Sequence, residues 1–177
     1  MGQPTEWSAI TEPPQPTLSL CALCARRGKT CCQNHEIYLT RYDVERISAH
    51  TGRDDFFEYK VPQDVGYLPD PSDPIWSRHA FRQDYSRRIL RFSGSGDCPF
   101  LAQCGCSLPL LIRPLVCRLH PHHYDHQGLC GLEHECPQDL LGPGQDLLTA
   151  LQMSDLEPAR GWREQLYQEL VQEDPTR

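Results

Sequence analysis

The spacing of its cysteines constrains this chain more than any other feature. Ten cysteines occur in 177 residues, and Cys21, Cys24, Cys31 and Cys32 fall together near the start. Thiols this close in sequence converge in a folded chain, where they form disulfides, bind a metal ion or hold an iron–sulfur cluster. The fold therefore depends on which of these three states the thiols adopt. The other six are Cys98, Cys104, Cys106, Cys117, Cys130 and Cys136.

The composition predicts a thin apolar core. Only 38% of the residues are hydrophobic, the mean hydropathy is −0.57, and 16 prolines with 12 glycines indicate much irregular backbone. A chain of this length usually forms one domain. A metal or a set of disulfides would then supply stability that apolar burial does not.

The start of the sequence favours a cytoplasmic protein with no membrane partner. Residues 1–7 lack the basic start and the apolar run of a secretory signal. The longest apolar run, residues 108–116, is interrupted by Arg113 and Pro114 and falls short of the roughly 20 residues of a membrane span. Cytoplasmic thiols are kept reduced, so metal binding is favoured over disulfides. An exported protein held by disulfides stays an alternative, because the number of cysteines is even.

The net charge of −7 argues against nucleic acid as a partner. One stretch is locally basic although the whole chain is acidic. We interpret it either as a solvated strand and turn or as a surface for an anionic partner. Its basic residues are Arg78, Arg82, Arg87, Arg88 and Arg91, and Phe81, Tyr85 and Phe92 lie among them.

Three regions differ in composition. Residues 1–17 are proline-rich and read as a flexible tail, residues 18–137 carry every cysteine, and residues 138–177 read as a helical extension packed on the same domain. The predicted fold class is an α-rich small α+β fold. It has an irregular, metal-stabilised cysteine-cluster core, short helices, a small β-hairpin and a C-terminal helical pair.

The individual elements follow from capping residues, periodicity and turn residues. Thr40 is the expected N-cap of a helix in which Asp43 favours the first turn, and Gly52 is the expected residue after its end. We expect the first cysteine group to lie in a loop, and Gly105 to permit close backbone approach. The remaining predictions are a short helix at 54–59, a loop at 61–77, a strand at 87–92, a helix at 114–119, an irregular tract at 122–136, and helices at 146–153 and from Pro158 onward.

The thiols and their neighbours define a candidate metal site. Cys-x2-Cys lets two sulfurs reach one ion, and this spacing serves zinc, iron and iron–sulfur clusters alike. Side chains of adjacent residues diverge, so we expect one of Cys31 and Cys32 to bind the metal and the other to face a second metal or the core. Either Cys104 or Cys106 can be a ligand. Other residues are weaker candidates for metal ligands. The two cysteines among them can instead be buried thiols, and the histidines can instead be solvated loop residues. They are Cys130, Cys136, His35, His120, His122, His123 and His126.

Two arginines flank Cys117. Arg113 and Arg118 can offset the negative charge of several thiolates and donate to sulfur, or they can pair with surface acids. No nucleophilic triad, phosphate-binding loop or paired-carboxylate motif is visible, so no catalytic residue is identified.

Several of these segments together resemble a known family. The segments are Cys21-Ala-Leu-Cys24 with Cys31-Cys32, Leu39-Thr40-x-x-Asp43, Cys98-Pro-Phe-Leu101, Cys106, and Arg113-Pro-Leu-Val-Cys117-Arg118-Leu-His-Pro121. They are similar to the YkgJ-type cysteine-cluster proteins, also called the CxxCxxCC family of zinc- or iron-chelating domains, over residues 20 to 137. The gap before Cys31 is six residues where the family has two, and the stretch between Cys106 and Arg113 is longer than usual.

The resemblance implies that the protein chelates zinc or iron, with an iron–sulfur cluster such as [4Fe–4S] as one form of the centre. Some flagellin lysine methylases share a similar cysteine module, so a redox or protein-modifying enzyme is the alternative function. The metal ion is the partner it implies, and the sequence does not identify a protein partner. By position it nominates seven ligands: Cys21, Cys24, Cys31, Cys32, Cys98, Cys106 and Cys117.

Overall fold

A computed structural model describes residues 19–27, 31–33, 35–132 and 136–173, and within them the chain is a small α+β protein. The α+β class agrees with the sequence prediction. The predicted tail at 1–17 lies outside these residues. The helices are α1 (Leu20–Ala25), α2 (Arg41–Thr51), α3 (Pro74–His79), α4 (Leu115–Leu119), α5 (Leu147–Ala150) and α6 (Glu157–Gln172). The strands are β1 (Phe57–Lys60), β2 (Arg87–Leu90), β3 (Leu101–Ala102), β4 (Gly105–Cys106), β5 (His122–Tyr124) and β6 (Leu129–Leu132). Short 3-10 helices occupy Val65–Tyr67, Leu110–Ile112 and Gln138–Leu140.

Helix α2 begins and ends where the sequence predicted. The Thr40 hydroxyl accepts a hydrogen bond from the Asp43 N–H, and the Asp43 carboxylate accepts one from the Thr40 N–H, so the pair forms a capping box. Gly52 closes the helix with a φ of 69°, a left-handed conformation that glycine adopts without steric cost.

Each sheet is a pair of antiparallel strands: β1 with β2, β3 with β4, and β5 with β6. The first pair sets Phe57 opposite Leu90. Residues just before α2 run along the other edge of β2, where the Leu39 N–H donates to the Arg88 carbonyl at 3.0 Å. Strand β2 is therefore covered on both edges, and its burial holds the start of α2 in place.

Four sequence predictions about local structure were wrong. The first cysteine pair lies on α1 rather than in a loop, and residues 57–60 form a strand rather than part of a helix. The predicted loop at 61–77 contains a 3-10 helix and most of α3, and the tract at 122–136 contains the hairpin of β5 and β6. Strand β1 pairs with a segment that is distant in sequence, whereas β5 and β6 form a local hairpin whose residues lack an alternating apolar pattern.

Two apolar clusters form the core. The first joins α6 to α4 and α3, and we call it the α6 core; the second lies beside the cysteines, and we call it the cysteine-side core. Helix α6 packs on α3 and on α4, the helix that carries Cys117. The α6 core includes Leu115, Leu119, Leu166, Tyr167 and Leu170, and the cysteine-side core includes Leu39, Ile47, Phe56, Leu90, Cys98, Phe100 and Leu108.

No helix in the described part of the chain is both long enough and apolar enough to span a membrane.

Candidate metal centre

Helix α1 presents the first two thiols together. Ser19 caps the helix by accepting a hydrogen bond from the Ala22 N–H at 3.2 Å. Cys21 and Cys24 then lie three residues apart, which sets them on the same side of a helix. Each keeps partial contact with solvent.

The second pair of thiols is in direct contact. Cys31 donates a thiol hydrogen bond to Cys32, so these adjacent side chains meet rather than diverge as expected from the sequence. The Cys98 N–H donates to the Cys32 carbonyl at 2.8 Å, and Gln33 pairs with Asp97 through a β-bridge and a side-chain hydrogen bond of 2.7 Å. These bonds tie the first cysteine segment to the Cys98 segment.

A glycine lets strand β4 approach α1. Gly105 has a φ of 98°, and a Cβ atom at this position would lie 3.3 Å from the Ser19 Oγ and 3.6 Å from the Ala22 nitrogen. Glycine adopts this left-handed conformation without strain, and a Cβ at this position would press on the Ser19 side chain. The close approach that the sequence predicted is confirmed, and it brings Cys106 of β4 beside the α1 thiols.

Helix α4 delivers the last nominated thiol. Its first residue, Leu115, donates its N–H to the Asp43 carboxylate at 3.1 Å, so the helix is anchored to α2. Arg118 fixes the preceding loop, because its guanidinium donates to the carbonyls of Arg113 at 2.8 Å and Leu111 at 2.7 Å. Cys117 lies between these two attachments and is enclosed by protein on most sides while keeping some solvent contact.

All seven nominated thiols lie in one neighbourhood, which is centred on Cys32. Cys32 interacts electrostatically or through a hydrogen bond with each of the other six, which come from α1, the Cys31 turn, the Cys98 segment, β4 and α4. The structure therefore brings together five segments that are distant in sequence. We call this group the cysteine cluster: Cys21, Cys24, Cys31, Cys32, Cys98, Cys106 and Cys117.

Burial and mutual repulsion keep most of the cluster protonated. Burial raises the pKa of Cys98 to about 12 and raises the pKa of Cys117 well above its ordinary value. The pKa of Cys32 moves the other way, to about 7, because it accepts the Cys31 hydrogen bond and lies near the Arg113 guanidinium. Cys32 is thus the most acidic thiol of the cluster and the first to be available as a thiolate.

The side chains of the cluster are too far apart in this structure to hold a metal ion. Across the described residues, no three His, Cys, Asp or Glu side chains lie close enough together to hold a metal ion. Its chemistry nevertheless fits a metal, because soft sulfur donors are the ligands of zinc and of iron–sulfur clusters. The structure describes all ten cysteines, and none of them forms a disulfide.

The two flanking arginines have different roles. Arg113 lies against the cluster, attracts Cys21 and Cys32, and hydrogen-bonds to Cys106. Arg118 is 4% exposed and donates to backbone carbonyls. Neither arginine forms an ion pair with a carboxylate in the described ranges. The predicted alternative, in which both arginines pair with surface acids, is therefore wrong.

The remaining candidates lie apart from this pattern. Cys104 and Cys130 are exposed. Cys136 contacts the Nε2 atom of His120 at 3.4 Å, a pairing for which the sequence offered no signal because the two residues belong to separate loops. His122 is buried, and His126 lies 3.8 Å from the Asp73 carboxylate, so neither is a solvated loop histidine.

The basic stretch is largely occupied by the protein itself. Arg87 is 3% exposed and pairs with Glu36 at 3.2 Å, and Arg88 pairs with Glu173 at 3.1 Å. Its central arginines therefore support the fold, which differs from both interpretations offered by the sequence.

Comparison with known proteins gives one match. No curated protein and no solved structure matches the chain. Residues 20–137 match the family named CxxCxxCC, whose description is "putative zinc- or iron-chelating domain". The matched range holds the whole cysteine cluster and covers well over half of the sequence. The chain therefore belongs to the CxxCxxCC family of zinc- or iron-chelating domains.

Proposed function

We propose that the protein binds zinc or iron through the cysteine cluster, and that metal binding completes its fold. The observation that carries this proposal is the position of Cys32, which interacts with every other member of the cluster. Thiols that only fill space would not need to be gathered from five segments around one cysteine. Convergent sulfur donors are typical of a structural metal site.

The number of thiols favours a centre with more than one metal atom. A single tetrahedral ion takes four ligands, and the cluster contains seven. Cys31 and Cys32 touch, so both face the same region and can serve neighbouring metal atoms. We infer either two zinc ions that share thiolates or an iron–sulfur cluster with additional cysteines beside it.

The fold would orient the cluster cysteines toward the metal, and their thiols would release protons when the metal binds. Strand β4 and helices α1 and α4 hold their cysteines on rigid elements, and the bond between the Cys98 N–H and the Cys32 carbonyl sets two further thiols at a fixed separation. Metal would supply the attraction that draws the sulfurs together. Because most of these thiols are protonated when free, binding must release protons, and we expect affinity to fall as the pH is lowered.

The test is metal analysis of protein purified without oxygen. We expect zinc or iron at one or more atoms per chain, and an iron–sulfur centre would add a broad visible absorption band. A colourless protein with zinc would support the zinc form. Protein that contains neither metal and binds neither on reconstitution would refute the proposal.

Serine variants separate the cluster from the other cysteines. Cys32→Ser and Cys117→Ser should each lose most of the bound metal, because serine is a poor ligand for these metals. Cys104→Ser and Cys130→Ser are matched controls, since these thiols are exposed and outside the cluster. Equal metal content in all four variants would contradict the assignment of the cluster.

A further inference from the structure

A groove of about 370 Å³ lies where α3 meets the turn that leads into β2. It opens to solvent and is separate from the cysteine cluster, because none of the cluster thiols belongs to its lining. A proline and a phenylalanine give the groove apolar surface, and two arginines and an exposed tyrosine add charge and an aromatic ring. The lining includes Pro69, Arg78, Phe81, Arg82, Gln83 and Tyr85.

Tyr85 has a backbone conformation that works against the stability of the fold. Its φ is 62°, in the left-handed region that a residue with a bulky side chain rarely adopts. The residue is 64% exposed, so its ring adds little to the apolar core. Glycine or asparagine would adopt this conformation more easily. Strained residues concentrate at functional sites, and an exposed, strained tyrosine that lines a groove indicates a surface on which a ligand ring can stack.

Hydrogen bonds hold the turn that carries this ring. The Arg82 N–H donates to the Ser86 carbonyl at 2.8 Å, and the Tyr85 N–H donates to the Arg82 carbonyl at 3.0 Å. The Asp84 carboxylate accepts the Ser86 N–H at 3.0 Å and the Ser86 hydroxyl at 2.7 Å. The turn is therefore ordered before a ligand arrives, which lowers the entropy cost of binding.

Two guanidinium groups make the groove positive in an acidic chain. Arg78 and Arg82 are the first two arginines of the basic stretch, and no acidic residue belongs to the described lining. In the part of the chain that the structure describes, Arg78 forms no ion pair with a carboxylate. Arg82 lies over the Tyr59 ring, 3.8 Å from its centroid, and Asp84 offsets part of its charge. Guanidinium groups favour phosphate because their N–H groups can donate to two of its oxygens in parallel.

We propose that this groove binds a small organic phosphate in which a flat ring is joined to the phosphate group. Tyr85 stacks on the ring, Arg78 and Arg82 bind the phosphate, and the Gln83 amide hydrogen-bonds to the polar edge of the ring. The buried Phe81 supplies apolar surface. The volume falls within the range of small-molecule sites, about 300–1,000 Å³. The proposal is independent of metal binding.

The experiment titrates the full chain with four probes in a calorimeter: adenosine monophosphate, phosphotyrosine, adenosine and inorganic phosphate. We expect at least one of the two ring phosphates to bind about 10-fold or more tightly than adenosine and inorganic phosphate, because each of these lacks one half of the ligand. The tighter of the two identifies the ring as a purine or a phenyl group. Failure of both ring phosphates to bind, or equal affinity for all four probes, overturns the proposal.

Variants assign the binding to the groove. Arg78→Gln and Tyr85→Asn should each weaken binding of the ring phosphate by about 10-fold or more. Both side chains are exposed, so both variants should fold. The matched control is Arg91→Gln, because Arg91 is an exposed arginine of the same basic stretch that lies outside the groove lining and pairs with Glu58 at 3.9 Å. Affinities of the two groove variants that equal that of Arg91→Gln overturn the assignment.

Two further measurements separate a binding role of Tyr85 from a structural one. Tyr85→Asn should unfold at a urea concentration no lower than the native chain, because asparagine adopts the left-handed conformation more easily. Lower stability with unchanged binding would show that the ring supports the fold, which overturns its role in the site. Metal content should be the same in the native chain and all three variants, so the loss of ring-phosphate binding is distinguishable from a failure of the proposed metal function.

Discussion

Replacing Asp43 by alanine should destabilise the protein severely, although Asp43 contacts no cysteine. Its side chain is fully buried at the start of α2 and accepts hydrogen bonds from two backbone N–H groups, those of Thr40 and Leu115, each at 3.1 Å. It also pairs with Arg46 at 2.5 Å. This carboxylate joins α2 to α4, the helix that carries Cys117.

The magnitude follows from what the alanine leaves behind. Each buried N–H that loses its acceptor costs about 1–3 kcal/mol. Arg46 loses one of two acidic partners and keeps Glu169 at 2.6 Å, so the ion-pair loss is partial. We expect Asp43→Ala to lower the free energy of unfolding by about 3–5 kcal/mol, a large share of the roughly 5–15 kcal/mol that holds a domain folded.

The assay is equilibrium unfolding in urea, measured on metal-loaded and metal-free protein. Glu45→Ala is the matched control, because Glu45 lies on the same helix, is exposed, and pairs with Arg41 at 3.2 Å. That surface pair contributes at most about 1 kcal/mol. A loss for Asp43→Ala no greater than the loss for Glu45→Ala would refute the reasoning that the buried carboxylate anchors α4.

The α6 core, His122 and the bound metal should each affect stability in a measurable way. Leu166→Ala should cost about 2–5 kcal/mol by thermal unfolding because Leu166 is fully buried on α6, whereas Val171→Ala, exposed on the same helix, should cost under about 0.5 kcal/mol. Burial lowers the pKa of His122 below 6.5, so unfolded chains gain a proton there before folded ones do as the pH falls. Stability should therefore fall below pH 6.5, and His122→Phe should lose less of it between pH 7.5 and pH 5.5 in urea titrations; an equal loss in both proteins would contradict this. Removing metal with a chelator should lower the free energy of unfolding by about 4 kcal/mol when free metal had been 1,000-fold above its dissociation constant. An unchanged unfolding midpoint in urea would show that metal does not stabilise the fold.

Local chemistry made parts of the fold predictable from sequence. The capping box of Thr40 and Asp43 and the left-handed Gly52 define α2 through interactions within a few residues. The helix from Pro158 was predictable for a similar reason, because its apolar residues recur on one face. Gly105 was predictable because a glycine between two cysteines allows close approach.

Other elements depended on partners that the local sequence does not reveal. Residues 57–60 follow two aspartates that resemble the start of a helix, yet they pair with β2 along its whole length. Strands β5 and β6 carry histidine, cysteine and glycine rather than an alternating apolar pattern, and cross-strand pairing forms them. Hydrogen bonds between segments outweighed weak local preferences in both cases.

The sequence by itself determined which residues can carry the chemistry. The spacing of Cys21, Cys24, Cys31 and Cys32 and the family motifs nominate the seven thiols, since spacing and residue type are properties of the chain alone. The family match supports a zinc- or iron-chelating domain on the same basis.

The tertiary structure decided how those residues are arranged. It makes Cys32 the centre of the cluster, directs Arg113 to sulfur and Arg118 to carbonyls, and anchors α4 through Asp43. Each of these outcomes depends on contacts between segments far apart in the chain, such as the hydrogen bond from the Cys98 N–H to the Cys32 carbonyl. Such contacts exist only once the whole chain has folded, and for that reason no local pattern could predict them.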